Sequence, residues 1–442
     1  MRIIRICLIA VLAFVSIALP CRVCGQQQAQ KLGRLDMERA HLMLQQVYEE
    51  VKDHYYDPSY HDVDLKASYH KYDTMMNSAP SINATFRIIA AFLEKLHDSH
   101  TFFVPPSRVN PSTPGFSIEM IGDKCFVTRI RPGSDAEKKL HVGDEVLALQ
   151  GFKVTREDSV PLHYFIQVLS PTPTQTVIVR SPDGSTRQET IQTMWRSGKA
   201  VLDLQGGNGG DFWDIIRRGE QEDHLNRERT FVVGDVLIWK MPSFVADQDM
   251  VDSAFSKARK HKALVLDLRG NPGGAVDTLK RMISHTFDHP VTLYTEVSRK
   301  GSKKEIVKPK FKPFTGKLIV LVDSGSDSAA EIFARVIQLE HRGVVIGDRS
   351  AGAVMEARDY DESLGMESSI FFGVSITSAN LLMSDGKSIE KVGVTPDEIM
   401  LPTPQDLAAG KDPVLAHAVD EAGAKLDPAA AGKVFPFEWP RL

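Results

Sequence analysis

The chain lacks the features that would place it in several large protein classes. Of its 442 residues only four are cysteine, and Cys7, Cys21 and Cys24 all lie within the first 25 positions. A chain trimmed of that leader keeps Cys125 alone, which excludes an internal disulfide framework. There is no long basic run, and a formal net charge of −4 leaves no electrostatic footprint for nucleic acid. The apolar run over 6–19 is too short and too terminal for a membrane span. Arg2 and Arg5 precede it, and the small Val23 and Gly25 frame a cleavage site. This pattern predicts a signal peptide over 1–25 and an exported chain, periplasmic or secreted, with no stable membrane span after its removal. A lipid anchor at Cys21 is the weaker alternative, because Pro20 stands where such sites carry a small residue. A large core without disulfides suits a periplasmic protein.

The length predicts two or three domains. From 36 to about 97 the pattern is helical. Ala40, Leu44, Val47, Tyr48 and Val51 form one stripe, and Phe86, Ile88, Ile89, Phe92, Leu93 and Leu96 form another. Asn83-Ala84-Thr85 is a formal glycosylation triplet, but Asn83 reads as part of a helix start. Pro105, Pro106, Pro111 and Pro114 mark a linker. A β-rich stretch follows, with alternation over 115–119 and 125–130 and a hairpin signal over 142–151. The Gly-rich loop at 206–210 lacks a Lys and a strand-then-helix setting, so it is not a phosphate cradle. Beyond it, strands expected at 232–241, 262–268, 317–322 and 344–347 alternate with helices at 246–260, 275–286 and 329–340. That alternation argues an α/β core with a mostly parallel sheet. The tail after Pro404 reads as helical at first, then irregular.

The chemistry concentrates in four segments. In Asp323-Ser324-Gly325-Ser326-Asp327-Ser328, a buried strand runs into a helix and leaves Ser328 at the helix N-terminus. Unpaired N–H groups and the positive end of the dipole there favour developing negative charge. On this segment alone a plain helix cap explains Ser328 equally well. Leu266-Asp267-Leu268-Arg269-Gly270-Asn271-Pro272-Gly273-Gly274 lies at the carboxyl end of a strand, where open α/β sheets place ligands. Its two glycines let a backbone N–H approach closely. Ser99-His100 supplies the best-placed base, and Glu390 is an acid that can orient a histidine. His97, Asp98 and His100 lack an evident further metal ligand. Glu331, Asp267 and Arg269 read as a first-turn charge and turn-holding groups, and Lys387 and Lys391 as solvated charges.

In this order the segments resemble the C-terminal processing peptidase and tricorn protease superfamily of serine peptidases. The family carries Leu-x-Asp-x-His-Thr, an inserted PDZ domain, Asp-Leu-Arg-x-Asn-x-Gly-Gly, Ser-Ala-(Ser/Ala)-Glu and Gly-Val-x-Pro-Asp. Here these are Leu96 to Thr101, a PDZ-like stretch with Pro132-Gly133-Ser134-Asp135-Ala136 and Gly143-Asp144, then Asp267 to Gly274, Ser328 to Glu331, and Gly393 to Asp397. Gln150 departs from the usual Asn of the PDZ hairpin. A second departure concerns the mechanism. Where one branch of the family places the lysine of a Ser–Lys dyad, this chain has Ala353. The resemblance therefore implies the tricorn-like tetrad of Ser328 as nucleophile, His100 as base, and Ser99 and Glu390 behind it. It also implies an oxyanion hole from the N–H groups of Ala329 and Gly274, with Gly273 the alternative. The implied fold is α/β: a crotonase-like (tricorn-type) peptidase core over 196–442, a PDZ-like β domain over 106–195 and an N-terminal helical domain over 26–105. The implied activity is a serine-type peptidase acting on peptides or proteins, without metal or other cofactor and without nucleic acid as partner; an oligomer is left open. The competing readings are a catalytically inactive peptide-binding relative and a carrier of small apolar ligands.

Overall fold

The computed structural model describes residues 32–106, 112–195, 229–365 and 370–439. The leader over 1–25 and the Gly-rich loop at 206–210 lie outside the described residues. Three helices come first: α1 (Arg34–His54), α2 (Leu65–Met76) and α3 (Ile82–Leu93). Asp64 and Ser81 cap the second and third by accepting from the N–H groups of Ala67 and Ala84. Both expected stripes turn inward, with Ala40, Leu44, Val47, Phe86 and Ile89 all buried. The strand β1 (Phe102–Val104) follows directly.

A β-rich module comes next. It comprises β2 (Ser112–Thr113), β3 (Phe116–Ile121), β4 (Lys124–Ile130), β5 (Glu145–Leu149), β6 (Phe152–Lys153), α4 (Ser159–His163, continued by a wider turn over Tyr164–Leu169), β7 (Thr174–Arg180), β8 (Thr186–Gln192) and β9 (Met194–Trp195). The main antiparallel sheet runs β3-β4-β5-β7-β8, so β3 is an edge. Alternate residues Val127, Val146, Val177 and Val179 point to a core closed by Leu162 and Ile166.

The remaining chain builds a second sheet and a third. Its elements are β10 (Arg229–Val233), β11 (Val236–Lys240), α5 (Gln248–Ala258), β12 (Ala263–Asp267), α6 (Val276–Thr286), β13 (Val291–Ser298), β14 (Gly301–Val307), β15 (Lys317–Val322), α7 (Ala329–Leu339), β16 (Val344–Gly347), β17 (Met355–Leu364), β18 (Ile370–Leu382), β19 (Glu398–Ile399), α8 (Pro404–Ala408), α9 (Pro413–Glu421) and α10 (Pro428–Ala431). The order β10-β11-β12-β15-β16-β19 is parallel from β11 onward. Period two divides its side chains between two cores. Leu237, Trp239, Leu264, Leu266 and Val320 face α5, α6 and α7, while Ile238, Val265, Ile319 and Leu321 face α9.

Two parts differ from the sequence expectation. The strand anticipated over 232–241 is a hairpin, because Gly234 takes a left-handed φ of 55° and turns the chain between β10 and β11. The long pair β17–β18 was not anticipated; β17 is polar on both faces and shows no apolar alternation. This pair matters most for the site. β1 adds to β18 with Phe102 opposite Ser375 and Val104 opposite Gly373. Phe103 points the other way, wholly buried between Phe86 and Phe372, with ring centroids 5.8 and 6.1 Å away. Phe103→Ala should cost about 3–5 kcal/mol in urea unfolding. Phe102→Ala, at a residue 41% exposed, should cost under about 1 kcal/mol. Similar losses for both would remove β1 from the structural core.

Candidate active site

A turn between α3 and β1 carries Ser99 and His100. Its shape comes from Asp98, whose carboxylate accepts from the N–H groups of His100 and Thr101 at 2.9 and 2.7 Å. The same carboxylate takes the hydroxyls of Thr101 and, from β18, Thr377 at 3.0 and 2.7 Å. Asp98 is thus committed to holding the turn, and its neighbour His97 is exposed.

Behind the imidazole lies a directed relay. Glu390 follows β18 and accepts the Ser99 N–H at 2.9 Å, the Ser99 hydroxyl at 2.8 Å and the Val354 N–H at 2.8 Å. A carboxylate only accepts, so the Ser99 hydroxyl donates to it. The Ser99 oxygen, 2.7 Å from His100 Nδ1, then accepts from that nitrogen. The network therefore assigns the proton to Nδ1 and leaves the Nε2 lone pair as the basic site. Burial pushes His100 below its ordinary value, with Asp98 opposing and Lys391 adding to the shift. Burial raises Glu390, against the pull of the Val354 N–H and Ser99.

Ser328 sits in the turn between β15 and α7 at φ 51°, ψ −114°, a left-handed φ that costs a non-glycine residue on the order of 1–3 kcal/mol. Its N–H is shared between the Ala353 carbonyl and Glu331, both at 3.1 Å. The turn itself is locked to the segment after β12. Asp327 N donates to the Asn271 carbonyl, Gly270 N to Asp323, and the Ser326 hydroxyl to the Leu268 carbonyl. Gly273, at φ 83°, lies so close that a Cβ there would stand 2.7 Å from Ser328 Cβ and 2.9 Å from Ala329 N. Its N–H is taken by Asn271 Oδ1 at 2.9 Å. Among the described residues no acceptor takes the N–H of Gly274 or of Ala329. Beneath the turn, Arg269 forks onto Asp267 and Asp412 and ties the end of β12 to the start of α9.

Two acids matter more than the sequence suggested. Glu331 is the first-turn acid expected of α7, and beyond that it is wholly buried and accepts from Ser328 N, the Ser350 hydroxyl, Gly352 N and Ala353 N. Burial still pushes it up to about 7. The adjacent N–H groups of Ala353 and Val354 go to Glu331 and Glu390 respectively, so the loop over 350–354 joins α7 to the Glu390–Ser99–His100 chain. Asp327 has a buried Oδ1 without a partner among the described residues, and burial, Glu331 and Glu390 together push it up to about 8. The only sequence signals for these roles were their positions beside Ser328. Lys387 and Lys391 are exposed, and Ala353 contributes only backbone groups to these bonds.

The structure thus brings Ser99, His100 and Glu390 into direct contact. It connects Ser328 to them through Ala353 and Val354; no hydrogen bond joins Ser328 to His100 among the described residues.

Residues 235–400 match the profile of peptidase family S41, and residues 38–89 match that of the tricorn protease C1 domain. Ser328, Glu390 and the glycine pair fall within the first match; Ser99 and His100 fall between the two. The carboxy-terminal processing protease CtpA of Bacillus subtilis (strain 168) is 30% identical over 168 residues, 37% of this chain and 34% of that protein. The tail-specific protease of Haemophilus influenzae is 26% identical over 327 residues, 68% of this chain and 43% of that protein. The chain thus matches well under half the length of either relative. Among solved structures, mature CPAF aligns with a TM-score of 0.61 at 16% identity, over 85% of this chain and 94% of that one. The photosystem II D1 C-terminal processing protease gives 0.50 at 18% identity, over 83% and 94%. These likenesses agree with the α/β fold described above.

The geometry makes Glu331 the strut of the Ser328 turn. Glu331→Gln replaces one acceptor oxygen by an NH2 group that faces buried donors. It should lower stability to urea by about 1–3 kcal/mol. An unchanged midpoint would show that the four contacts do not hold the turn.

Proposed function

We propose, from the matches to peptidase family S41 and the tricorn protease C1 domain and from the relay behind His100, that the chain is an exported serine endopeptidase of the C-terminal processing peptidase and tricorn protease superfamily. Ser328 attacks a peptide carbonyl, and His100 Nε2 takes the hydroxyl proton and returns it to the leaving amine. Ser99 and Glu390 hold the ring and stabilise its charged form. The N–H groups of Ala329 and Gly274 receive the oxyanion, since that of Gly273 is already spent on Asn271. Water then releases the acyl group. The observation that carries this reading is the Glu390–Ser99–His100 chain of hydrogen bonds, which has no purpose in a mere helix cap at Ser328. A base and nucleophile commonly close to bonding distance only with substrate in place.

We also read the β-rich module as PDZ-like and as the site that takes the peptide. A groove of about 450 Å³ runs between the open edge of β3 and the α4 helix, lined by Phe116, Ile118, Leu149, His163 and Gln167 among others. An extended peptide can add to such an edge. The far end of β3 meets the catalytic turn: the Ser324 hydroxyl donates to the Met120 carbonyl at 2.6 Å. Gly122 N donates to Asp348 at 2.8 Å, and Arg156 bridges the same carboxylate. A peptide lying along β3 therefore leads toward Ser328.

A fluorophosphonate probe should label the intact chain and fail on Ser328→Ala. No labelling of the intact chain would favour the peptide-binding alternative. Ser99→Ala should keep the fold and lower kcat/KM on the order of 10²–10⁴-fold, because the tautomer is no longer enforced. Full activity would exclude the relay. The pH profile has a definite sign. His100 is active when neutral and sits below the ordinary histidine value, so activity should rise with pH through a midpoint under about 6.5. Above about 8, ionised Asp327 opposes the oxyanion and activity should fall. Asp327→Asn should abolish that alkaline fall alone; persistence of the fall would assign it elsewhere.

A further inference from the structure

The groove beside β3 already holds part of this chain. Trp439 lines it together with Phe116, Ile118 and Glu119. The segment that carries Trp439 is anchored just upstream. Phe435 packs with the core under α9, the Arg229 guanidinium lies 5.4 Å from its ring, and Arg229 donates to the Pro436 carbonyl at 2.7 Å. Past that anchor the chain crosses to the β-rich module. Phe437 lies 4.5 Å from the Arg129 guanidinium and Trp439 lies 5.8 Å from that of Arg131. The two rings meet edge-on at 5.2 Å. Arg129 also bridges Glu119 of β3 at 2.6 Å, so the guanidinium that meets the tail is held by the groove's own strand.

We propose that the segment over 437–439 is a built-in occupant of this groove and competes with the peptide that the groove takes. The inference rests on reading the groove as the peptide site. The tail's grip is shallow: Phe437 remains 48% exposed, and cation–π contacts at exposed positions are weak. Its tether is short, because Pro436 is fixed one residue before Phe437. A tether of that kind presents the aromatic pair at an effective concentration on the order of millimolar or above. Shallow contacts combined with high local concentration give a cover that a tighter or more concentrated peptide displaces. The apparent affinity for an incoming peptide falls by the fraction of molecules whose groove is uncovered.

The test uses the full chain carrying Ser328→Ala, so that nothing is cleaved, and a fluorescein-labelled peptide of residues 433–439 as probe. Adding Phe437→Ala and Trp439→Ala should tighten the probe's Kd about three- to tenfold by anisotropy. Ile118→Arg in β3 should then remove the gain. In the chain with Trp439 intact, a saturating tryptophan-free extended peptide should shift tryptophan emission to the red, and Trp439→Phe should remove the shift. Equal Kd values with and without the tail aromatics would overturn the proposal, as would failure of the double variant to bind the probe. A second probe, an unrelated extended peptide, separates the two readings. Equal binding of that probe to both chains leaves the groove as a peptide site and sinks the tail alone. Failure of both probes, with Ser328-dependent cleavage intact, sinks the groove reading as well.

Discussion

A strand of three residues carries the organisation of this site. β1 pairs with β18, and that pairing fixes the turn of Ser99 and His100 against the strand that leads on to Glu390. The pairing works because its two faces are treated differently. Phe103 goes into the core with Phe86 and Phe372, while Asp98 and Thr101 lock onto Thr377 by hydrogen bonds. Apolar burial supplies most of the stability here and polar contacts supply the register, since a slip by one residue would turn Phe103 outward. β18 then delivers Glu390 shortly after its end. One strand thus sets both ends of the relay, although more than 270 residues separate Ser99 from Glu390; their bonds span 291 positions.

The nucleophile's turn is held by a different device. Ser328 occupies a backbone conformation that its own residue type disfavours, so the surroundings must over-determine it. Glu331 does this from one turn into α7, gathering four donors around one buried carboxylate. Three of these donors come from the loop over 350–354, whose next N–H goes to Glu390. Strain at the nucleophile and order in the relay are therefore coupled through one short loop. The β-rich module is tied in just ahead of that loop, through Arg156 and Gly122 at Asp348.

How much of this was legible in the sequence follows from the range of the forces involved. The helical stripes, the strands at 317–322 and 344–347 and the helix after Ser328 arise from local periodicity, and they appear within a residue or two of the expected positions. The glycine pair was read as room for a backbone N–H to approach a substrate; what the structure shows is a different closeness, Gly273 with no room for a Cβ beside Ser328. The hairpin in place of one strand at 232–241 turned on a single residue, Gly234, inside an otherwise apolar run. The β17–β18 pair was missed because β17, Met-Glu-Ala-Arg-Asp-Tyr-Asp-Glu-Ser-Leu, is polar on both faces and owes its state to its partner. The first-turn place of Glu331 was legible, but its burial was not, for a related reason. A glutamate in the first turn of a helix is ordinarily solvated, and only the return of a loop some twenty residues later buries it.

The charge inventory around Ser328 explains why backbone dipoles matter so much here. Asp327 and Glu331 flank Ser328, Glu390 is joined to it through Val354 and Ala353, and burial raises all three. The position at which the family resemblance would place a balancing lysine is Ala353. An oxyanion formed beside three full carboxylates in a poorly hydrated setting would be opposed strongly. Two features reduce that opposition. Asp327 keeps its proton at neutral pH, since it is pushed up to about 8, and Glu331 and Glu390 are covered by seven donors between them: four on the first and three on the second. What remains to meet developing negative charge is the N-terminus of α7, an eleven-residue helix whose first N–H, on Ala329, has no protein acceptor among the described residues. A site without a lysine is thus electrostatically consistent, provided that the proton it needs is moved by a neutral imidazole rather than by a neutral amine. That condition agrees with the depressed basicity of His100 and with the Ser99 bridge that keeps its Nδ1 proton in place.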